Sequence, residues 1–176
     1  LVVKNEKDVP FYAENSAALI KYGRFFDGAR IGIALYGVNP VSGDKTPLLP
    51  VMTFRAAVIA INTVKKGDFI GYSRGYRAKK DMRVAIISTG YADGLPRALS
   101  NKGMIFCNGQ FLKIVGKVSM DSVAVDAGDA DVKIMDEVVV FGDEITVTDV
   151  ANRADTLPYE ILTGVSERVK RVYKNP

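Results

Sequence analysis

The chain has 176 residues, with 24 Lys and Arg against 20 Asp and Glu, so its formal charge is +4. That length holds one domain, or one domain and a piece of another, and a composition of 48% hydrophobic and 25% charged residues excludes disorder as the main state. Histidine is absent, which removes Ser-His-Asp and Cys-His catalysis, histidine zinc sites and histidine proton transfer from this chain and leaves proton chemistry to Tyr, Lys, Asp, Glu or Cys107.

In chain order, the start LVVKNEKDVP is charged within four residues and lacks a signal-peptide layout. Residues 15–23, NSAALIKYG, predict a short helix with Asn15 or Ser16 as N-cap and Gly23 past its end. ARIGIALYG, residues 29–37, is an apolar, glycine-flanked segment. NPVSGDKTP then reads as a loop, and a domain boundary is expected around residues 39–48. From Pro50 the pattern is mostly strand: VMTFRAAVIAINTV, a turn at Lys66-Gly67-Asp68 leading into another strand, and MRVAIIST. The densest basic group, Arg74, Arg77, Lys79, Lys80 and Arg83, is broken by Asp81 and reads as a solvated face or small-anion contact, so no nucleic-acid partner is expected. MIFCNGQFLKIV carries the clearest hairpin signal, Asn108-Gly109 between two apolar runs. Cys107 beside it is alone, which rules out an intrachain disulfide framework, reads as a small hydrophobe and fits a reducing compartment. SVAVDAG and EVVVFGDEITV continue the strands. Thr146 or Thr148 is expected to cap a helix over TVTDVANRA, TLPYEILTGV follows as helix, and VKRVY at 169–173 predicts a closing strand. No apolar run approaches the roughly 20 residues that cross a bilayer. Strands spaced 8–12 residues apart indicate a mainly β fold, a small antiparallel β barrel or sandwich.

Five segments in order, ENSAAL (14–19), ARIGIALYG (29–37), IGYSRGYRAKKDMRVAIISTGYADGLPRALSNKG (70–103), IVGKVSMDSVAVD (114–126) and TLPYEILTGVSERVKRVY (156–173), resemble bacterial alanine racemase. The resemblance reaches from about residue 12 to the end. It implies a pyridoxal 5'-phosphate-dependent isomerase with an α/β (TIM-type) barrel followed by a β domain. Residues 1–38 would be the terminal segment of that barrel, a short α/β remnant, and residues 39–176 the C-terminal β domain. The family's Schiff-base lysine lies near the start of the barrel in V-V-K-A-N-A-Y-G-H-G. Lys4 copies only three letters of that stretch and is read as a surface lysine, so the Schiff-base lysine is expected outside this chain.

Racemisation removes the α-proton and returns it on the opposite face, and the family uses a lysine on one face and a tyrosine on the other. Tyr72, in GYSRGY, matches that tyrosine. Phenols are weak bases at neutral pH, ionising near pH 10, so nearby cations or donors have to favour phenolate. In the family this tyrosine reaches the partner subunit's active site, which implies a homodimer with shared sites and a small amino-acid substrate. Arg30 matches an arginine that meets the cofactor's pyridine nitrogen. Arginine holds its charge without giving up a full proton, so the ring stays a weaker electron sink, which suits racemisation over transamination. Ser16, Gly32 and Ile33 match positions around the cofactor phosphate, where a helix start and backbone N–H groups suit an anion. Here the chain departs from the family pattern H-x-A-N-S: Tyr12 stands for the histidine, and Glu14 puts a negative charge two residues before Ser16. Tyr159, in LPYEIL, matches a phosphate-side tyrosine that narrows the substrate entrance together with Tyr91 of TGYADG. Met120 and Asp121 match a substrate-site pair, the Met120 amide meeting the substrate carboxylate and Asp121 orienting neighbours at the entrance.

The expected function is therefore the C-terminal portion of a racemase acting on alanine for cell-wall precursors, with serine as the rival substrate. A cytoplasmic location is expected, with membrane tethering of the complete protein if it is of the resistance-type serine racemase kind. This chain alone is expected to be inactive. The reading from another class is a catalytically inactive β domain serving as a dimerisation or binding module.

Overall fold

A computed structural model describes residues 9–174; the reading of Lys4 falls outside the described residues. The chain forms two compact units that divide between Met52 and Thr53.

The first unit contains β1 (Glu14–Asn15), α1 (Ser16–Tyr22), β2 (Ala29–Arg30) and a 3-10 turn over Ile33–Tyr36. β1 and β2 pair in parallel, Glu14 opposite Ala29 and Asn15 opposite Arg30. A strand, a helix and a parallel strand form the repeating unit of an α/β barrel. Asn15 rather than Ser16 caps α1, its carboxamide oxygen accepting from the Ala18 N–H at 2.9 Å, and Gly23 ends the helix at φ 77°. The 39–48 segment is a loop built on Asp44, whose carboxylate accepts from the Asn39 carboxamide and the Thr46 N–H, each at 2.8 Å. The bond from the Thr46 amide, followed by the side chains of Thr46 and Asn39, holds that carboxyl below its ordinary range.

The second unit is a closed six-stranded antiparallel barrel with two short helices after it. Its elements are β3 (Phe54–Val64), β4 (Phe69–Ile70), β5 (Tyr76–Arg77), β6 (Met82–Ile87), β7 (Met104–Cys107), β8 (Gln110–Ile114), β9 (Val123–Asp126), β10 (Glu137–Phe141), α2 (Val147–Ala154) and α3 (Pro158–Gly164). The order around the barrel is β10-β3-β6-β9-β8-β7, and β7 closes it against β10 at Phe106 and Val139. β4 and β5 form a separate two-stranded ribbon. Along β8, buried Leu112 and Ile114 alternate with exposed Phe111 and Lys113, the period-2 pattern of a strand with one face inward. β10 is buried from Val138 through Phe141, so both of its faces are covered. The long strand β3 shifts register between Val58 and Ala60, where one extra residue bends the strand, as closure requires.

The hairpin expected at Asn108-Gly109 joins β7 to β8. Both residues are left-handed, at φ 46° and 81°, as a type I′ turn demands. Asn108 is held further by its amide, which donates to the Asp131 carbonyl and the Asp136 carboxylate. Thr146, not Thr148, caps α2 through a reciprocal box with Asp149. One expected element is absent: VKRVY, 169–173, is irregular rather than a closing strand. The barrel is already closed by β7 and β10, so it presents no free edge there, and Arg171 donates to the carbonyls of Val165, Ser166 and Val169, folding the segment back on itself.

Candidate functional site

In the first unit the residues matched to the phosphate converge where β1 and β2 end. Ser16 is buried at the first turn of α1, and its Oγ accepts from the Gly32 N–H at 3.0 Å. The Gly32 amide is thus engaged, while the serine hydroxyl keeps its own proton to donate. Ile33 opens the next turn, so its amide has no partner inside that turn. A Cβ on Gly32 would meet open space, so a bound group can approach its backbone. Together the Ser16 hydroxyl, the Ile33 amide and the bare Gly32 backbone fit a phosphate group. Arg30 is exposed beside Asn15 across the strand pair, its guanidinium donating to the Ala13 carbonyl at 3.4 Å.

The two departures from the family pattern have local explanations. The buried Glu14 carboxylate accepts from the Phe25 N–H, so it is tied to that amide and not to the Ser16–Gly32 contact. The Tyr12 ring lies against Gly28, where an added Cβ would come within 2.3 Å of a ring carbon. The phenol in place of histidine therefore depends on that glycine.

In the second unit TGYADG is a hub. Tyr91 N–H donates to the Ser119 carbonyl at 2.9 Å and Ala92 N–H to the Met120 carbonyl at 3.0 Å, so the backbone carrying Tyr91 runs beside the one carrying Met120 and Asp121. A Cβ on Gly90 would fall 2.3 Å from both the Ser119 and Met120 carbonyl oxygens; only glycine permits this approach. On its other side, Gly94 at φ 114° packs on the end of α3, where an added Cβ would lie 2.6 Å from the Gly164 carbonyl oxygen. Ser166 N–H donates to the Asp93 carbonyl at 3.2 Å. The hub thereby links Tyr91, the Met120–Asp121 pair and α3, whose first turn holds Tyr159. Tyr91, Met120 and Tyr159 are each about half exposed.

Two residues in this hub carry no role in the sequence reading. Asp93 accepts from the Gly90 N–H at 2.8 Å and from Arg168 Nε at 3.0 Å, and Arg168 also donates to Asp121 at 2.6 Å. The hydrogen bond to Asp121, reinforced by the charge of Asp93, binds the guanidinium proton more firmly still. Asp93 had a signal, an acid between two glycines in a motif already singled out. Arg168 had none, because its partners are remote in sequence.

Tyr72 sits on the connection between β4 and β5, 71% exposed, and lines an open cavity of about 370 Å³ with Ile70, Ile86, Lys117, Ser119 and Ser122. Ser119 and Ser122 flank Met120 and Asp121 in the chain, so the cavity reaches the turn that bears that pair, although neither of the two lines it. Cys107 is buried at the barrel wall, and burial, with Asp136 adding to it, pushes its thiol above the ordinary range. That suits packing rather than nucleophilic chemistry.

The family model described as "Alanine racemase, C-terminal domain" matches residues 51–173. The alanine racemase of Halothermothrix orenii is 39% identical over 177 residues, covering 96% of this chain and 47% of that protein. That of Aquifex aeolicus is 34% identical, covering 98% of this chain and 51% of that protein. Among solved structures, alanine racemase from Bartonella henselae with covalently bound pyridoxal phosphate superposes with a TM-score of 0.86 at 40% identity, over 92% of this chain and 46% of that one. The enzyme from D-cycloserine-producing Streptomyces lavendulae gives 0.88 at 35% identity, over 94% of this chain and 46% of that one. This chain spans about half the length of the curated relatives it matches. The chain belongs to the alanine racemase family, with residues 51–173 forming the family's C-terminal domain.

Proposed function

We propose that this chain is the C-terminal portion of a pyridoxal-phosphate-dependent racemase that interconverts L- and D-alanine for cell-wall precursors. Residues 1–38 would end its barrel and residues 39–176 would form its β domain. The observation that carries this reading is the double backbone link of Tyr91 to Ser119 and Ala92 to Met120, which joins the residues matched to the substrate entrance and the substrate carboxylate. The kinship with alanine racemases, one of them described with covalently bound pyridoxal phosphate, supports it.

Bound pyridoxal phosphate supplies the electron sink that makes the α-proton of an amino acid removable. In this chain the Ser16 hydroxyl and the Ile33 amide would hold the phosphate, with Gly32 leaving room. Arg30 would meet the pyridine side with a fixed positive charge. The Met120 amide would meet the substrate carboxylate, on a backbone that the Ala92 N–H holds through the Met120 carbonyl. Asp121, tethered by Arg168, and the phenol walls Tyr91 and Tyr159 would frame the entrance. Tyr72 would hold or take the α-proton on one face at its phenolic oxygen. Its exposure supports delivery to the active site of a second subunit, so the enzyme would act as a homodimer. The lysine for the other face, which is also the Schiff-base lysine, would come from outside this chain. Among the described residues no helix is long and apolar enough to cross a membrane, and we place the enzyme in the cytoplasm.

The test is to purify the gene product with whatever sequence precedes Leu1, load it with pyridoxal phosphate, and measure D-alanine formation from L-alanine. Cofactor-dependent turnover supports the reading. A folded, cofactor-loaded protein without turnover on alanine or serine overturns it and favours a binding module.

A further inference from the structure

We propose that Asn101 is a positioning residue for Tyr72, holding the backbone from which the phenol projects. The inference rests on the racemase reading above. Among the described residues, the Tyr72 phenol has no hydrogen-bond partner, and the residue is 71% exposed. The ring's placement is therefore set from its own backbone. That backbone is unusual: Gly71 is at φ 75°, and Ser73 and Arg74 follow, both at φ 53°. Consecutive side-chain-bearing residues in the left-handed region are disfavoured and persist only where the surroundings hold them.

Asn101 provides that hold. Its Nδ2 donates to the Gly75 carbonyl at 3.0 Å, and its Oδ1 accepts from the Gly116 N–H at 2.7 Å. One carboxamide thus ties the end of the Tyr72 loop to the backbone just beyond β8. The two backbones are already close, because a Cβ on Gly116 would lie 2.9 Å from the Ile70 carbonyl oxygen and one on Gly71 3.1 Å from the Lys117 nitrogen. Asn101 is itself anchored. It follows the 3-10 turn Arg97–Leu99 at φ 61°, and the Ser100 hydroxyl beside it accepts from the Val118 N–H at 3.0 Å. Asparagine suits this place twice over, tolerating left-handed backbone and offering a donor and an acceptor on one rigid group.

The test uses two substitutions that keep the left-handed backbone. Asn101→Gly deletes both hydrogen bonds. Asn101→Asp keeps the acceptor for Gly116 but removes the donor to Gly75. In the cofactor-loaded racemase, Asn101→Gly should lower kcat roughly 10- to 100-fold, as expected for a displaced proton-transfer group, while KM for alanine stays within about twofold. The loss should fall mainly on α-proton exchange at the Tyr72 face, with Asn101→Asp showing a loss of the same bias because its second carboxylate oxygen would face the Gly75 carbonyl. In a Tyr72→Phe background, Asn101→Gly should have no further effect, since both act through one group. Equal loss on both faces, or full additivity with Tyr72→Phe, would overturn the proposal. Hydrogen exchange on the 176-residue chain reads the clamp apart from catalysis: Asn101→Gly should speed exchange of the Gly116 amide, and unchanged exchange refutes the clamp. If the unsubstituted enzyme does not racemise, the functional reading fails, and this role with it, even where the exchange result shows the clamp.

Discussion

Arg168 Nε lies 3.0 Å from the Asp93 carboxylate, tying the segment after α3 to a turn enclosed by Gly90 and Gly94. Asp93 is 14% exposed and also accepts from the Gly90 amide. Replacing it removes two bonds from the point where Tyr91, Met120–Asp121 and α3 meet. Hydrogen bonds of this kind contribute about 1 kcal/mol each, so Asp93→Ala should cost about 2 kcal/mol and lower Tm by several degrees. Asp93→Asn should cost less, because its carbonyl oxygen still accepts from Gly90. Thermal unfolding of both variants checks the order, and equal costs would contradict the bond accounting.

The glycines of the second unit should separate by cause. Gly109 is at φ 81° and a Cβ there would meet open space, so Gly109→Ala should cost only the left-handed penalty of about 1–2 kcal/mol. Gly90→Ala meets two carbonyl oxygens at 2.3 Å and should cost more. It should also shift the amide resonances of Tyr91 and Ala92, which bond to those same carbonyls.

Tyr72→Phe keeps the ring and removes the ionisable oxygen. With the side chain this exposed, Tm should not move. In the complete enzyme, α-proton exchange on one face should fall about 10²–10⁴-fold, the usual loss for a positioned acid–base group. Isotope exchange from L- and D-alanine separates the faces, and equal effects on both would speak against a two-base assignment.

Tyr159 should leave little room or hydrogen-bonding capacity for a hydroxymethyl side chain. Alanine should therefore be preferred over serine, and Tyr159→Asn should narrow the gap by opening space and adding an amide. Steady-state kinetics on both amino acids measures this, and a native preference for serine would refute it.

Cys107 should be inert in the folded chain, because burial favours the neutral thiol. A raised folded pKa means that stability is fully present below the unfolded thiol's ordinary value of about 8.5 and declines as pH rises past it. Alkylation at mildly alkaline pH should be slow natively and fast in denaturant. Cys107→Ala should lessen the alkaline loss of stability.

Local chemistry was legible in the residues themselves. Asn108-Gly109 announced its turn because two left-handed positions in succession admit few residue types. Asn15 and Gly23 marked the ends of α1, and the alternation in QFLKI marked an inward face. The family resemblance rested on short motifs such as TGYADG and SMDS, which the fold places side by side. Long-range consequences were not legible. VKRVY has strand composition, yet strand formation needs an open edge, and whether one exists depends on how β7 meets β10. Arg168 and Asn101 resemble any surface arginine and any turn asparagine until the partners they bridge are brought alongside. Torsional preference and hydrophobic period act over a few residues, so they are written along the chain. The identity of a side chain's partner depends on tertiary packing, which brings Asp93 to Arg168 and Asn101 to Gly75, and no local pattern encodes that packing.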